Sequence, residues 1–208
     1  MELKLQNNFW KKALTVWKIE SDSIRKLSNL IDKKEFINIV KTIVKCKGKI
    51  VTSGAGTSAV IAKKISHSLS CIEKSSFFLS PSDAIHGALG AVKRDDLVIL
   101  ISKGGNTKEI VNLIKPLKIK KVAIIGITEN YDSVLAKNSN LILKVKVEKE
   151  ADSFNMLATS STIAVISVFD AICIALMEYS NYTKEQFRVI HPGGAVGERL
   201  RNSNKKMQ

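Results

Sequence analysis

A single α/β domain, with helices on both faces of a parallel sheet, is the fold this sequence predicts. Short runs rich in β-branched and aromatic residues recur along the chain: "KIVTS" (49–53), "SFFLS" (76–80), "LVILIS" (97–102), "KVAIIGI" (121–127) and "LILKV" (141–145). Amphipathic stretches near 58–70, 82–90, 106–118 and 132–138 separate these runs and read as helices. The strand runs are nearly continuous in apolar character rather than alternating, as strands buried on both faces must be. No repeat, low-complexity segment or linker divides the 208 residues, a length one core can serve.

Taken in order, residues 1–46 read as helical. In "SDSIRKLSNLI", Ile24, Leu27, Leu30 and Ile31 share a face. Asp32 is placed to cap a second helix carrying Phe36, Ile37, Val40, Ile43 and Val44. The αβα core then occupies 47–201, and a short basic tail follows at 202–208. Within the core, 158–180 is apolar nearly all round, which suits a helix packed between subunits or buried inside one. Its apolar run, "IAVISVFDAICIALM" (163–177), is shorter than the roughly 20 residues a bilayer needs. It also contains Asp170, which must find a partner, so no membrane role is expected.

Hydrophobic residues at 45% and charged residues at 25% exclude a disordered or fibrous chain. The opening "MELKLQNNFWKKALTVW" does not read as a signal peptide. Cys46, Cys71 and Cys173 share no short spacing and read as reduced thiols of a cytoplasmic protein, not a disulfide frame or zinc site. The net charge of +14 is spread out, with few aromatics interleaved, which points to a small anionic ligand rather than to nucleic acid.

In an open parallel sheet, ligands bind beyond the carboxyl ends of the strands. Two strand ends here carry suitable loops. In "ISKGGNT", Gly104 and Gly105 allow close backbone approach, and Ser102, Asn106 and Thr107 offer short polar side chains. The following helix points its positive end at the same spot, as a phosphate site would require. A tight strand–helix turn capped by Asn106 or Thr107 is the competing explanation. In "TSGAGTSA", the loop residues are Ser53, Gly54, Gly56, Thr57 and Ser58. Its "GAGTSA" also fits the dinucleotide fingerprint, but that pattern wants an acidic residue at the tip of the second strand. Ser80 stands there, with Asp83 inside the next segment, so a sugar phosphate fits better than a nucleotide cofactor.

Among titratable groups, Glu150 in "VEKEAD" reads by spacing alone as a solvated charge. His191 precedes Pro-Gly-Gly in a rigid loop and is the better functional candidate. His67 reads as a helix residue, and His86 beside "GALG" is open between packing and function. His86 and His191 lack a matching carboxylate, so no metal site is expected.

Five stretches in this order, "SGAGTSA", "HGALG", "ISKGGNT", "KEADSFNMLATSST" and "HPGGAVGERL", resemble the sugar isomerase (SIS) domain of the arabinose 5-phosphate isomerase family. The likeness covers about residues 25 to 201. It implies a flavodoxin-like αβα sandwich with a central five-stranded parallel sheet and N-terminal helices. It also implies a homo-oligomer, dimer or tetramer, with sites at subunit contacts. The activity it implies is interconversion of D-arabinose 5-phosphate and D-ribulose 5-phosphate without a cofactor. By the same resemblance Glu150 and His191 are catalytic, and His86 is near the site. Ser53, Ser58, Ser102 and Thr107 would line the phosphate pocket, with Thr159, Ser160, Ser161 and Thr162 closing over it.

The chain departs from the family pattern at both glycine loops. Where that pattern reads G-x-G-K-S-G, Thr57 replaces the lysine. Where it reads S-N-S-G-E-S/T, Lys103, Gly104 and Asn106 replace the asparagine, serine and glutamate, so Lys103 could supply a cation from a shifted position. These changes keep a second reading open, a non-catalytic SIS module that binds a phosphosugar or nucleotide sugar. Many relatives add a C-terminal pair of CBS regulatory domains, and the chain is expected to lack it.

Aldose–ketose isomerisation moves a proton between C1 and C2 through an enediol and needs a second group to open the ring. A carboxylate partly removed from water suits the base, because burial raises its pKa. Histidine titrates near neutrality and can give or take a proton. Glu150 as base with His191 opening the ring, or the reverse, would meet both needs.

Overall fold

The computed structural model describes residues 2–195 and 197–199, so the expected basic tail at 202–208 lies outside the described residues. The chain opens with α1 (Glu2–Leu30) and α2 (Lys33–Lys45). Asp32 joins them as the N-cap the sequence predicts, its carboxylate accepting the Glu35 N–H at 2.8 Å. Then follow β1 (Ile50–Gly54), α3 (Thr57–Ser70), β2 (Ser76–Phe78), α4 (Pro81–Ile85) and a 3-10 turn (Ala88–Ala91). The rest comprises β3 (Leu97–Ile101), α5 (Lys108–Ile119), β4 (Ala123–Thr128), α6 (Val134–Asn138), β5 (Leu141–Lys144), α7 (Ser160–Tyr179) and α8 (Lys184–Ile190).

The five strands form one parallel sheet in the order β2-β1-β3-β4-β5. The order reverses between β1 and β3, the switch point at which doubly wound sheets open a crevice. Gly54 at the end of β1 pairs with Ile101 at the end of β3, so the two glycine loops leave the sheet side by side.

Alternate residues of β1, β2, β3 and β4 feed two cores. Leu97, Ile99 and Ile101 of β3 join Ile125 and Ile127 against Ile39, Ile65, Leu69 and Phe169. Val98 and Leu100 point the other way, with Ile124, against Ile110, Leu113 and Leu117. Each such side chain contributes about 1.5–3 kcal/mol by leaving water. A charge at Ile99, which has no exposed surface, would therefore break the sheet's centre.

Four expectations shift. β2 is three residues long, because Ser80 turns out of the strand and caps α4 by accepting the Asp83 N–H at 3.3 Å. The stretch at 82–90 breaks after Ile85, where Gly87 takes φ +112°. Of the four apolar residues grouped on α1 and just beyond it, Leu27 is buried, but Ile24 and Leu30 are exposed. Finally, α7 (20 residues) lies within the expected 158–180 helix but exceeds the 15-residue apolar run from which no membrane role is expected. It is long and apolar enough to cross a membrane by length and composition, the one such helix among the described residues. Its Ala164, Val168, Phe169, Ile172 and Leu176 are nevertheless packed in the core. Asp170 faces outward and pairs with Lys64 on α3, the partner its position demanded.

Candidate active site

The loop from β5 to α7 folds back so that Glu150 meets the first turn of α7. Its carboxylate has no exposed surface and accepts five hydrogen bonds. Oε1 receives Lys103 Nζ at 2.7 Å and the Ser161 hydroxyl. Oε2 receives the Thr159 N–H at 2.9 Å, the Thr159 hydroxyl at 3.2 Å and the Ser161 N–H at 3.2 Å. Thr159, the N-cap of α7, makes no side-chain cap bond of its own. Glu150 supplies the cap instead, satisfying first-turn amides and placing a negative charge at the positive end of a 20-residue helix. Asn155, at φ +57°, holds the loop by accepting the Glu150 N–H at 2.6 Å.

Burial pushes this carboxyl's pKa up, but the Lys103 ammonium, the Ser161 hydroxyl and the Thr159 and Ser161 amides outweigh it and hold the group at about 2. The expectation that burial tunes Glu150 upward is therefore reversed. A carboxylate surrounded by donors is stabilised as the anion and is a weak proton acceptor while Lys103 is in place.

Lys103 also edges a cleft over the switch point, with Thr57 and Ser58 of α3, Thr128 of β4, and Ser161 and Thr162 of α7. Ile101 and Ile127 form part of its floor. Its volume is about 40 Å³, room for little more than a water. Gly56 begins α3 at φ +56° and without a side-chain cap, so the helix's first amides are available to an anion.

The second glycine loop is largely self-bound. Ser102 Oγ pairs with Thr107 Oγ1 at 2.8 Å and accepts the Gly105 N–H at 3.0 Å. Asn106 turns to α6, its Oδ1 accepting the Val134 N–H at 2.9 Å. Gly105 takes φ +73°, and a Cβ there would overlap the Ser133 hydroxyl. Thr128 Oγ1 donates to the Lys103 carbonyl at 2.8 Å, fixing the backbone from which the lysine projects.

The SIS domain family matches residues 42–175. This chain belongs to that family. It is 36% identical over 181 residues to arabinose 5-phosphate isomerase KpsF of Escherichia coli O6:H1 (strain CFT073), covering 87% of this chain and 55% of that protein. The chain thus spans little more than half the length of such curated relatives. A Listeria monocytogenes structure, provisionally described as a sugar-phosphate isomerase, is 51% identical with a TM-score of 0.88, covering 89% of this chain and 97% of that one. An E. coli CFT073 structure in complex with arabinose 5-phosphate is 32% identical with a TM-score of 0.86, covering 89% and 98%.

This SIS domain brings together some of the residues singled out in its sequence and separates others. Lys103, Thr57, Ser58 and Ser161 line the cleft, and Glu150 and Thr159 lie behind it, bonded to Lys103 and Ser161 or to each other. Ser53 does not reach it: wholly buried, its hydroxyl donates to the Leu79 carbonyl at 2.7 Å. Ser102, Thr107, Gly105 and Asn106 serve the loop itself, and Gly104 is unobstructed. Gly54 and Gly56 border a separate cleft of about 590 Å³ beside Ser80 and Asp83. Ser160 Oγ is buried without a hydrogen-bond partner among the described residues.

The two histidines stand apart. His86 caps the C-terminus of α4 with its side chain exposed and is not among the residues lining the cleft. His191 stacks on Phe187 at 3.9 Å between ring centroids. Its helix α8 is anchored at the far end of α3, where Tyr182 reaches the Cys71 carbonyl and Gln186 reaches Glu73. His191 is not among the residues lining the cleft, and none of the bonds holding Glu150 comes from it. Sequence reasoning misses Thr128, although its position at the carboxyl end of β4 is the signal that could have found it.

Proposed function

We propose that this chain is a sugar-phosphate aldose–ketose isomerase, with arabinose 5-phosphate and ribulose 5-phosphate as its substrate pair. The observation carrying this reading is a shared fold and 32% identity with a protein solved in complex with arabinose 5-phosphate, over 89% of this chain. A cleft joining uncapped α3 amides, hydroxyls and one lysine agrees with a phosphate-bearing ligand. Glu150 takes the proton from C2 while O1 is protonated, giving the enediol. Loss of the O2 proton and protonation of C1 then complete the ketose. The hydrogen moves as a proton and the reaction is redox-balanced internally, so no cofactor is invoked.

A second copy of the chain completes the site in this reading. His191 and His86, neither of which lines the cleft or bonds Glu150 within one subunit, are the groups it would contribute for ring opening. The exposed face of α1 supports such an assembly: Phe9, Trp10, Leu14 and Trp17 are each about half or more exposed. The cytoplasm is the compartment we assign, in keeping with three free thiols.

The competing reading, a binding module without catalysis, is favoured by Thr57 and Asn106 at the positions of the family's lysine and glutamate, and by the Glu150 carboxyl held at about 2. Deuterium exchange at C2 of arabinose 5-phosphate in heavy water separates the two. Exchange by the wild type that disappears in Glu150→Gln supports the isomerase. Ligand-induced thermal stabilisation with no exchange would replace it with the module.

A further inference from the structure

We infer that Lys103 is the movable cation of the cleft: it rests on Glu150 in the unliganded protein, and an anionic ligand draws it away, leaving the carboxylate to act as acceptor. This rests on the sugar-phosphate reading above and adds an order of events to it.

Geometry makes the two partners unequal. The Glu150 side chain has no exposed surface, whereas that of Lys103 is 41% exposed at the end of a flexible stem. If Lys103 leaves, Glu150 keeps the Ser161 hydroxyl, both Thr159 donors and the Ser161 amide, so it stays in position. What it loses is its only ion-pair partner among the described residues. The reverse motion would strip a buried carboxylate of five donors, so the lysine is the half of the pair that can move.

Space gives a second reason. At about 40 Å³ the cleft is far below the roughly 300–1,000 Å³ of small-molecule sites. Among the described residues along it, Lys103 alone is charged, and it borders Thr57 and Ser58 at the uncapped start of α3. An anion at those amides also faces the ammonium, so one swing of Lys103 enlarges the cleft and completes the anion's contacts. The carboxylate then faces neutral donors alone and is a stronger proton acceptor than in the unliganded protein. Binding of the anionic end would thereby precede and enable proton transfer at the other end of the sugar.

Inorganic phosphate tests this without requiring turnover. Wild type, Lys103→Met and Lys103→Arg are titrated with phosphate by calorimetry, and the Glu150 carboxyl carbon is followed by NMR, assigned through its absence in Glu150→Gln. We expect Lys103→Met to weaken phosphate binding roughly 10-fold or more, and Lys103→Arg to recover most of it. In wild type, phosphate shifts the Glu150 carboxyl resonance and raises its titration midpoint; in Lys103→Met, phosphate leaves both unchanged. Equal phosphate affinity in wild type and Lys103→Met, no phosphate binding by wild type, or a Glu150 resonance indifferent to phosphate would each overturn the inference. If the phosphate results hold but C2 exchange fails, the isomerase reading falls and the movable cation stands. The opposite pattern removes the cation alone.

Discussion

Lys103 Nζ lies 2.7 Å from Glu150 Oε1, but the ammonium reaches solvent while the carboxylate is closed off from it. The pair is therefore lopsided. Glu150 is also the cap of α7, whereas Lys103 contributes one of its five hydrogen bonds. A group assigned to catalysis by family likeness thus holds the fold together as well.

Removing the two partners should have unequal costs. Glu150→Ala leaves the Ser161 and Thr159 donors without an acceptor at the start of the core helix, and we expect about 3 kcal/mol of destabilisation. Lys103→Met removes one of five donors and the ion-pair partner of a buried carboxylate that keeps four others, and should cost less, about 1–2 kcal/mol. Urea unfolding of both variants gives the comparison, and equal costs would contradict the capping role.

Acid should act on the same group. Its folded pKa, about 2, lies below the ordinary 4.5, so its contribution is complete above pH 4.5. As pH falls through that value the unfolded chain takes up a proton that the folded one refuses, and stability drops until the folded group also titrates, near pH 2. The amount at stake is about 3 kcal/mol. Urea midpoints at pH 7, 5 and 3 should therefore fall less steeply for Glu150→Gln than for wild type.

Gly104 and Gly105 are adjacent but not equivalent. Gly105→Ala forces a side chain into positive φ and onto Ser133, and should lose about 2 kcal/mol or more, lowering the melting temperature by several degrees. Gly104→Ala meets nothing within 4 Å and should stay within about 0.5 kcal/mol of wild type. Thermal melts of the two variants test this directly. Comparable losses would mean the loop is constrained by something other than Ser133.

That pair of glycines also marks where sequence reading stops. β3 and its neighbours were legible because a strand buried on both faces is apolar without interruption. The adjoining loops were legible because strand ends at the switch point carry hydroxyls and glycines. Ser102, Asn106 and Gly105 fit a phosphate cradle and a self-bound turn equally well in one dimension. Only the positions of Thr107, Val134 and Ser133 in space distinguish the two. Resemblance singled out Glu150, but its environment was beyond reach for the same reason. Its pKa depends on a fold-back to Ser161 and on Lys103, 47 positions upstream, and no local pattern encodes either contact.

The absence of His191 from the cleft beside Lys103 leads to a prediction about assembly. If sites are shared between copies, Glu150→Gln and His191→Ala should each be inactive alone, since every site lacks one group. Mixed after gentle unfolding and refolding, half of a randomly paired population is heterodimeric, and one of the two sites in each heterodimer is intact. Activity should then return to about a quarter of wild type. Charge on the exposed ridge, as in Trp10→Glu with Trp17→Glu, should release monomers in sedimentation runs and abolish this recovery. Full activity in a monomeric ridge variant would instead require each subunit to carry a complete site, and the shared-site reading would fall.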